Sequence, residues 1–434
     1  MNERSMGRRD NTSLPTRVTC PHCWLRFAPE EIKWIAAHSD LVGDPLLGSD
    51  APQRFLPSRF NVEGLAIDVK GVACHLLACP RCHLTVPRAV LEMEPLFVSV
   101  LGAPYSGKSY FLASMTWRLR RTLTKHFCIT FADADPQANL ILNGYEEKLF
   151  LNAQPDQIVA LEKTQLEGYL YETVRFGDRS VSYPRPFVFS LRPRETHPSF
   201  HRARQISRAI CLYDNAGEHF LPGDYYSPNR PGTDHLAVSR ALLFLFDPTQ
   251  HQRFRQACAG KTNDPQFLKA LWSHRQDQVL LEAGRRIRAH TGLGEHDKMN
   301  RPLIVVMTKY DAWSALMNNM ELRTATAIRE TQAGIAGLDQ LNIQRVSDHI
   351  RAILTDCAPE IVAAAEALSS DVTYLPVSAL GHRPQVDEAS GGLGVRPSQI
   401  RPMWAEIPLL CAIQRSVPEL IPVARNVGEP QTAS

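Results

Sequence analysis

The sequence predicts an α/β fold, a doubly wound domain with helical insertions, preceded by a cysteine-stapled module. Three observations predict it. Apolar runs at 96–101, 210–213, 303–307 and 372–377 each end in a polar loop, and the segments between them have room for helices. A glycine loop, GAPYSGKS at 102–109, sits behind the first run and ahead of a helical pattern at 110–123. Four of the ten cysteines form two C-P-x-C units upstream of that loop.

The glycine loop carries the most chemistry. G-x-x-x-x-G-K-[ST] between a buried strand and a helix is a phosphate cradle, because its backbone amides and the helix N-terminus supply positive field. Gly102, Tyr105, Ser106, Gly107, Lys108, Ser109 and Tyr110 line it, with Lys108 reaching the β/γ-phosphates and the Ser109 hydroxyl binding Mg²⁺. The second apolar run leads into DNAGE, where Asp214 can hold Mg²⁺ through water and the Gly217 amide can meet the γ-phosphate. Alone, this stretch reads equally well as a strand ending in an Asp-Asn-Gly turn.

A third loop raises its weight. TKYD at 308–311 follows the third run, and an Asp311 carboxylate can accept from both N1 and N2 of guanine. Adenine lacks that donor pair, so a buried Asp311 would stay unpaired with ATP. Lys309 would lie along the base and Thr308 would brace the loop. After the fourth run comes Ser378-Ala379-Leu380, where the Ala379 amide can donate to guanine O6. The four loops, in this order, resemble the nucleotide motifs of TRAFAC-class, Ras-like P-loop GTPases, over 95 to about 420.

That resemblance implies a mostly parallel sheet with one antiparallel strand, bound GTP/GDP and Mg²⁺, and a switch that hydrolyses GTP. Its adjacent strands at 186–191 and 207–214 would lead into the D-x-x-G loop. Residues 241–247 form another strand, with Asp247 at its end and not at the metal. The resemblance also asks for a Mg²⁺-binding threonine in switch I, for which Thr164 is the choice over Thr173 and Ser182. Glu218 stands where the family uses Gln to orient water; with Lys108, Asp214 and Thr164 it completes the catalytic set. Arg175, Arg179 and Arg185 lie near the switch region. Two alternatives stay open: a GTP-binding scaffold with little hydrolysis, and a P-loop ATPase or zinc-ribbon nucleic-acid binder.

Cys20, Cys23, Cys79 and Cys82 read as a four-thiolate Zn²⁺ site, closed and therefore structural. Cys74, His22, His75 and His83 are alternative ligands, read instead as a buried thiol and exposed histidines. Between the knuckles the sequence predicts a helix at 29–38, a loop at 43–57, and strands at 65–69 and 72–77. Further helices are expected at 265–290, 312–330, 338–368 and 401–415. The intervals 139–183 and 247–301 read as helical insertions that dock a partner or control the site.

The expected domains are a disordered leader at 1–17, a zinc ribbon at 18–94, the GTPase domain at 95–425 and a disordered tail at 426–434. This layout resembles the bacterial double-GTPase families, which implies protein partners, an activator or effector, in a multicomponent signalling or defence system. A net charge of +3 over 434 residues gives no mandate for nucleic acid, and no basic stripe with interleaved aromatics supplies one. The polar N-terminus has no signal-peptide core, so a cytoplasmic location is expected.

Overall fold

The computed structural model describes residues 16–161, 171–215, 220, 233–268, 275–318, 320, 322, 326–331, 334–387 and 391–424. The chain divides into two compact units, Met1–Glu94 and Pro95–Ser434.

The second unit is mixed α/β around a seven-stranded, mostly parallel sheet. Its strands in chain order are β1 (Glu94–Gly102), β2 (Ile129–Asp133), β3 (Phe187–Pro193), β4 (Arg208–Asp214), β5 (Ala241–Phe246), β6 (Met299–Met307) and β7 (Ser369–Pro376). They lie in the order β2-β3-β4-β1-β5-β6-β7. β1, β5, β6 and β7 pair in parallel, whereas β3 runs antiparallel to both β2 and β4. Continuous apolar runs form the central strands because both faces are covered, and every residue of β5 is buried.

Among the described residues the long helices of this unit are α1 (Lys108–Phe127), α2 (Leu140–Phe150), α3 (Gln276–Thr291), α4 (Gln340–Cys357), α5 (Pro359–Leu368) and α6 (Ile407–Ser416). α4 shows why such segments are helical. Asp339 accepts from the Asn342 amide at 3.1 Å as its cap, and Ile343, Val346, Ser347, Ile350 and Leu354 form one buried stripe. The helix expected over 338–368 is two helices. Pro359 offers no amide to a preceding turn, and Ala358 before it leaves the helical region at φ −146°, ψ 60°.

Other expectations need correction. Residues 312–330 are not one helix: a left-handed Asn318 ends a 3-10 turn, and Ile328–Glu330 pairs with Ala336–Leu338. The last helix begins at Ile407, later than expected. The 139–183 insertion is only partly helical, since α2 is followed by the hairpin Tyr171–Phe176 and Arg179–Pro184. β2 was not foreseen; it adds an edge to the sheet next to β3.

In the first unit, two small hairpins, Val18–Thr19 with Arg26–Phe27 and Leu77–Ala78 with Thr85–Val86, each carry one C-P-x-C turn. The helix expected over 29–38 is a single 3-10 turn, Pro29–Glu31, followed by the strand Lys33–Ile35. That strand pairs with Leu77–Ala78 and with Arg54–Phe55, and long-range pairing overrides local propensity. The loop expected over 43–57 contains the hairpin Val42–Asp44 and Gly48–Pro52. Residues 65–69 and 72–77 form isolated bridges, Phe60 to Ala66 and Ile67 to Ala73, in place of two full strands. Among the described residues no helix is long and apolar enough to cross a membrane.

Candidate functional site

The parallel strands bring four loops to one edge of the sheet. At the end of β1, Gly102 lets the chain pass close to its neighbours: a Cβ there would sit 2.8 Å from Ser106 Oγ and 3.0 Å from the Leu245 carbonyl oxygen of β5, so either would have to shift. The loop then turns through left-handed Tyr105 (φ 63°) and Gly107 (φ 87°) into the first turn of α1. Lys108 folds back over the loop, its Nζ donating at 3.0 Å to the carbonyls of both Gly102 and Ala103. Ser106 Oγ is buried without a hydrogen-bond partner. An unsatisfied buried hydroxyl costs about 1–3 kcal/mol, so it fits a loop that gains a polar ligand. Ser109 and Tyr110 follow, half-buried, and the Tyr110 hydroxyl accepts from the Leu161 amide at 2.9 Å.

Asp214 is buried at the end of β4. The next residue, Asn215, is tied to β1, its backbone and side-chain amides donating to the Val100 carbonyl at 3.3 and 3.1 Å. His235 approaches Asn215 Oδ1 at 2.8 Å and lies against the Tyr213 ring at 4.7 Å between centroids. These contacts set where the DNAGE loop leaves the sheet. Gly217, Glu218 and Thr164 lie outside the described residues.

TKYD and SAL stand side by side beyond β6 and β7. The Thr308 amide and hydroxyl donate to the Phe246 carbonyl at 2.9 and 3.2 Å, and Trp313 Nε1 donates to the Thr308 carbonyl at 2.8 Å. Lys309 is left-handed at φ 56°, and its Nζ meets Asp247 Oδ2 at 2.6 Å and the Tyr105 carbonyl at 3.4 Å. Ser378 Oγ donates to Asp311 Oδ1 and accepts from the Gly381 amide at 2.7 Å. Burial raises the Asp311 carboxyl pKa; the Ser378 hydrogen bond pulls it down and the nearby Asp264 charge pushes it up. The Ala379 carbonyl accepts from Ser114 of α1 at 2.7 Å, and the Leu380 carbonyl accepts from the Arg401 amide at 2.7 Å.

Sequence reasoning missed Asp247 as a partner of Lys309. The signal was present as an acidic residue closing an apolar strand, but the partner lies 62 positions away.

The second candidate site is in the first unit. The four Sγ atoms of Cys20, Cys23, Cys79 and Cys82 lie within 4.8 Å of one another, all buried, and none of these residues is disulfide-bonded. Cys20 to Cys82 is 3.8 Å and Cys23 to Cys79 is 3.6 Å. A tetrahedral ion with Zn–S bonds of about 2.3 Å sets sulfurs roughly 3.8 Å apart, so this donor set fits zinc. The two turns are built alike. The amides of His22 and Arg81 donate to Cys20 and Cys79 Sγ at 3.4 Å, and left-handed Trp24 and His83 close the knuckles. Cys74 lies outside the cluster, buried against Asp68. The histidines differ from expectation: His22 and His83 are buried and only His75 is exposed. His22 Nε2 is 3.0 Å from the Thr85 carbonyl, and His83 Nδ1 is 2.8 Å from Asp44 Oδ2.

No family model matches the chain. It is similar to a curated Mycolicibacterium smegmatis protein called "Putative ESX-1 scaffolding and assembly protein SaeC", at 24% identity over 323 residues, covering 70% of this chain and 72% of that protein. Among solved structures it is similar to the S. cerevisiae Ski7 GTPase-like domain bound to GTP, with a TM-score of 0.23 and 10% identity. That match covers 78% of this chain and spans about half (52%) of the other.

Proposed function

We propose that this protein binds guanine nucleotides and hydrolyses GTP to GDP slowly, as a regulated switch inside a multiprotein assembly. One observation carries the reading: the loops at 102–109, 308–311 and 378–380 converge at one sheet edge. Lys309 reaches the Tyr105 carbonyl, and Ser114, in the second turn of the helix behind the glycine loop, reaches the Ala379 carbonyl. The strand order, with β3 as the antiparallel member, agrees with the Ras-like P-loop arrangement.

In this reading Gly102, Tyr105, Ser106, Gly107, Lys108, Ser109 and Tyr110 hold the phosphates. Lys108 leaves its two loop carbonyls to meet the β/γ-phosphates, and the Ser106 hydroxyl gains the partner it lacks. Ser109, Asp214 and Thr164 would hold magnesium, which supplies charge neutralisation at the phosphates. Gly217 would donate to the γ-phosphate, and Glu218 would face the attacking water. Thr308, Lys309, Asp311, Ser378, Ala379 and Leu380 form the guanine site. Ser378 presents the Asp311 carboxylate to the N1 and N2 donors.

The cysteine module would hold one structural zinc, as its four buried thiolates fit a closed tetrahedral site. Protein partners and a cytoplasmic location belong to the same proposal. A second reading, a GTP-binding scaffold with little hydrolysis, is favoured by the name of the M. smegmatis relative. Titration with GTP, GDP and ATP, followed by a hydrolysis assay on the same preparation, tests both. Equal affinity for ATP and GTP removes the guanine site; tight GTP binding without turnover selects the scaffold.

A further inference from the structure

We infer that Asp247 is a positioning residue for nucleotide binding, holding Lys309 in place before the base arrives. The inference rests on the guanine-nucleotide reading. Asp247 is fully buried at the end of β5, and its carboxylate is the centre of a polar knot. Oδ1 accepts from the Thr249 amide at 2.9 Å and hydroxyl at 2.7 Å. Oδ2 accepts from Gln250 Nε2 at 3.0 Å and Lys309 Nζ at 2.6 Å. Its backbone is clamped by the Gln276 side chain, which donates to its carbonyl at 2.9 Å and accepts from its amide at 2.8 Å.

The knot also reaches the phosphate loop. Gln250 Nε2 donates to the Pro104 carbonyl at 3.0 Å, so Asp247 orients two groups, Lys309 and Gln250, that both touch backbone at 104–105. A lysine side chain is otherwise flexible, and freezing it along a base costs rotamer entropy. A buried carboxylate needs a cation, and Lys309 supplies it. The ion pair therefore meets the cost of ordering Lys309 during folding and leaves its aliphatic stem fixed at the base site. Tight nucleotide retention should depend on Asp247 although it touches no part of the nucleotide.

The test is the dissociation rate of a fluorescent GDP from the full-length protein, native and Asp247→Asn. Asparagine keeps the shape and removes the charge. Charge-assisted hydrogen bonds contribute about 1.5–3 kcal/mol, so release should accelerate by roughly ten- to a hundredfold. Inorganic tripolyphosphate, which has no base, should bind both proteins within about twofold, a split that general unfolding would not produce. Lys309→Met should give the same acceleration, and the double variant no more than either alone. Unchanged release in Asp247→Asn beside fast release in Lys309→Met overturns the inference while leaving the guanine site standing. Failure of native protein to bind GDP overturns the function reading itself. If Asp247→Asn does not fold, Thr249→Val removes one donor to the carboxylate together with the hydroxyl that accepts from Lys309 Nζ at 3.3 Å, and should accelerate release about threefold; no change there overturns the inference equally.

Discussion

Ser378 donates its hydroxyl proton to the carboxylate of Asp311, from a loop 67 positions further along the chain. The contact joins the ends of β6 and β7 and fixes the half-buried Asp311 carboxylate, which in the proposed function meets the base. Asp311→Asn should weaken GTP and favour xanthine nucleotides, whose C2 carbonyl accepts from the new amide. Ser378→Ala should weaken GTP about tenfold, since a hydrogen bond to a charged group contributes about 1.5–3 kcal/mol. Competition titrations with GTP, XTP and ATP read both changes, and an Asn variant that still prefers GTP to XTP refutes the base assignment.

Affinity for GTP should also fall with pH from a higher starting point than an ordinary carboxylate would give. Desolvation raises the Asp311 pKa, Ser378 and the nearby His382 oppose it, and Asp264 reinforces it. Guanine recognition needs the ionised form, so binding is fully present above the raised pKa and lost as pH drops through it. The sign for stability is the reverse. A carboxyl whose folded pKa is raised favours the fold below that value and loses this contribution as pH rises. GTP affinity measured across the acid range should therefore decline while this one group's contribution to stability grows. Asp311→Asn should flatten the affinity curve.

Much of this edge was readable because buried parallel strands are written as unbroken apolar runs. β5 and β6 announce themselves, and each motif follows directly at the strand's end. β2 was not readable: it is a five-residue edge strand with alternating exposure, Ile129 and Phe131 buried and Thr130 exposed. The stretch at 312–330 looked helical because its apolar spacing is helical, but a left-handed Asn318 and pairing with Ala336–Leu338 decide otherwise. The Asp247–Lys309 pair escaped for another reason. Adjacent parallel strands bring their ends together, and only the sheet order says which ends are neighbours.

Zinc content gives a prediction independent of the nucleotide. Purified protein should carry about one Zn²⁺ per chain, as four sulfurs fill one tetrahedral shell. Cys79→Ser should lose the metal and destabilise the unit Met1–Glu94, leaving GTP affinity unchanged. Elemental analysis of native protein prepared without chelator checks the first point. A metal-free native sample, or full zinc retention in Cys79→Ser, removes the four-thiolate site.

Glu218 governs the turnover prediction. It follows Gly217, where a Ras-like enzyme would carry a neutral amide, and its carboxylate would face the γ-phosphate. At ~4 Å and an effective dielectric of ~20, two like unit charges repel by about 4 kcal/mol. Unaided hydrolysis should then be slow unless a cation offsets that charge. Of the arginines that the sequence sets near the expected switch I, Arg185 is ion-paired with Glu172 of the preceding hairpin, so its charge is already engaged. Glu218→Gln removes the repelling charge and restores an amide that can orient water, and it should hydrolyse GTP faster than native protein. The opposite outcome has a distinct cause. A Glu218 whose pKa the site raises toward neutrality would serve as the proton acceptor, and the Gln variant would then be slower. Single-turnover rates at saturating Mg²⁺ separate the two, and a slower Gln variant would assign Glu218 as the base.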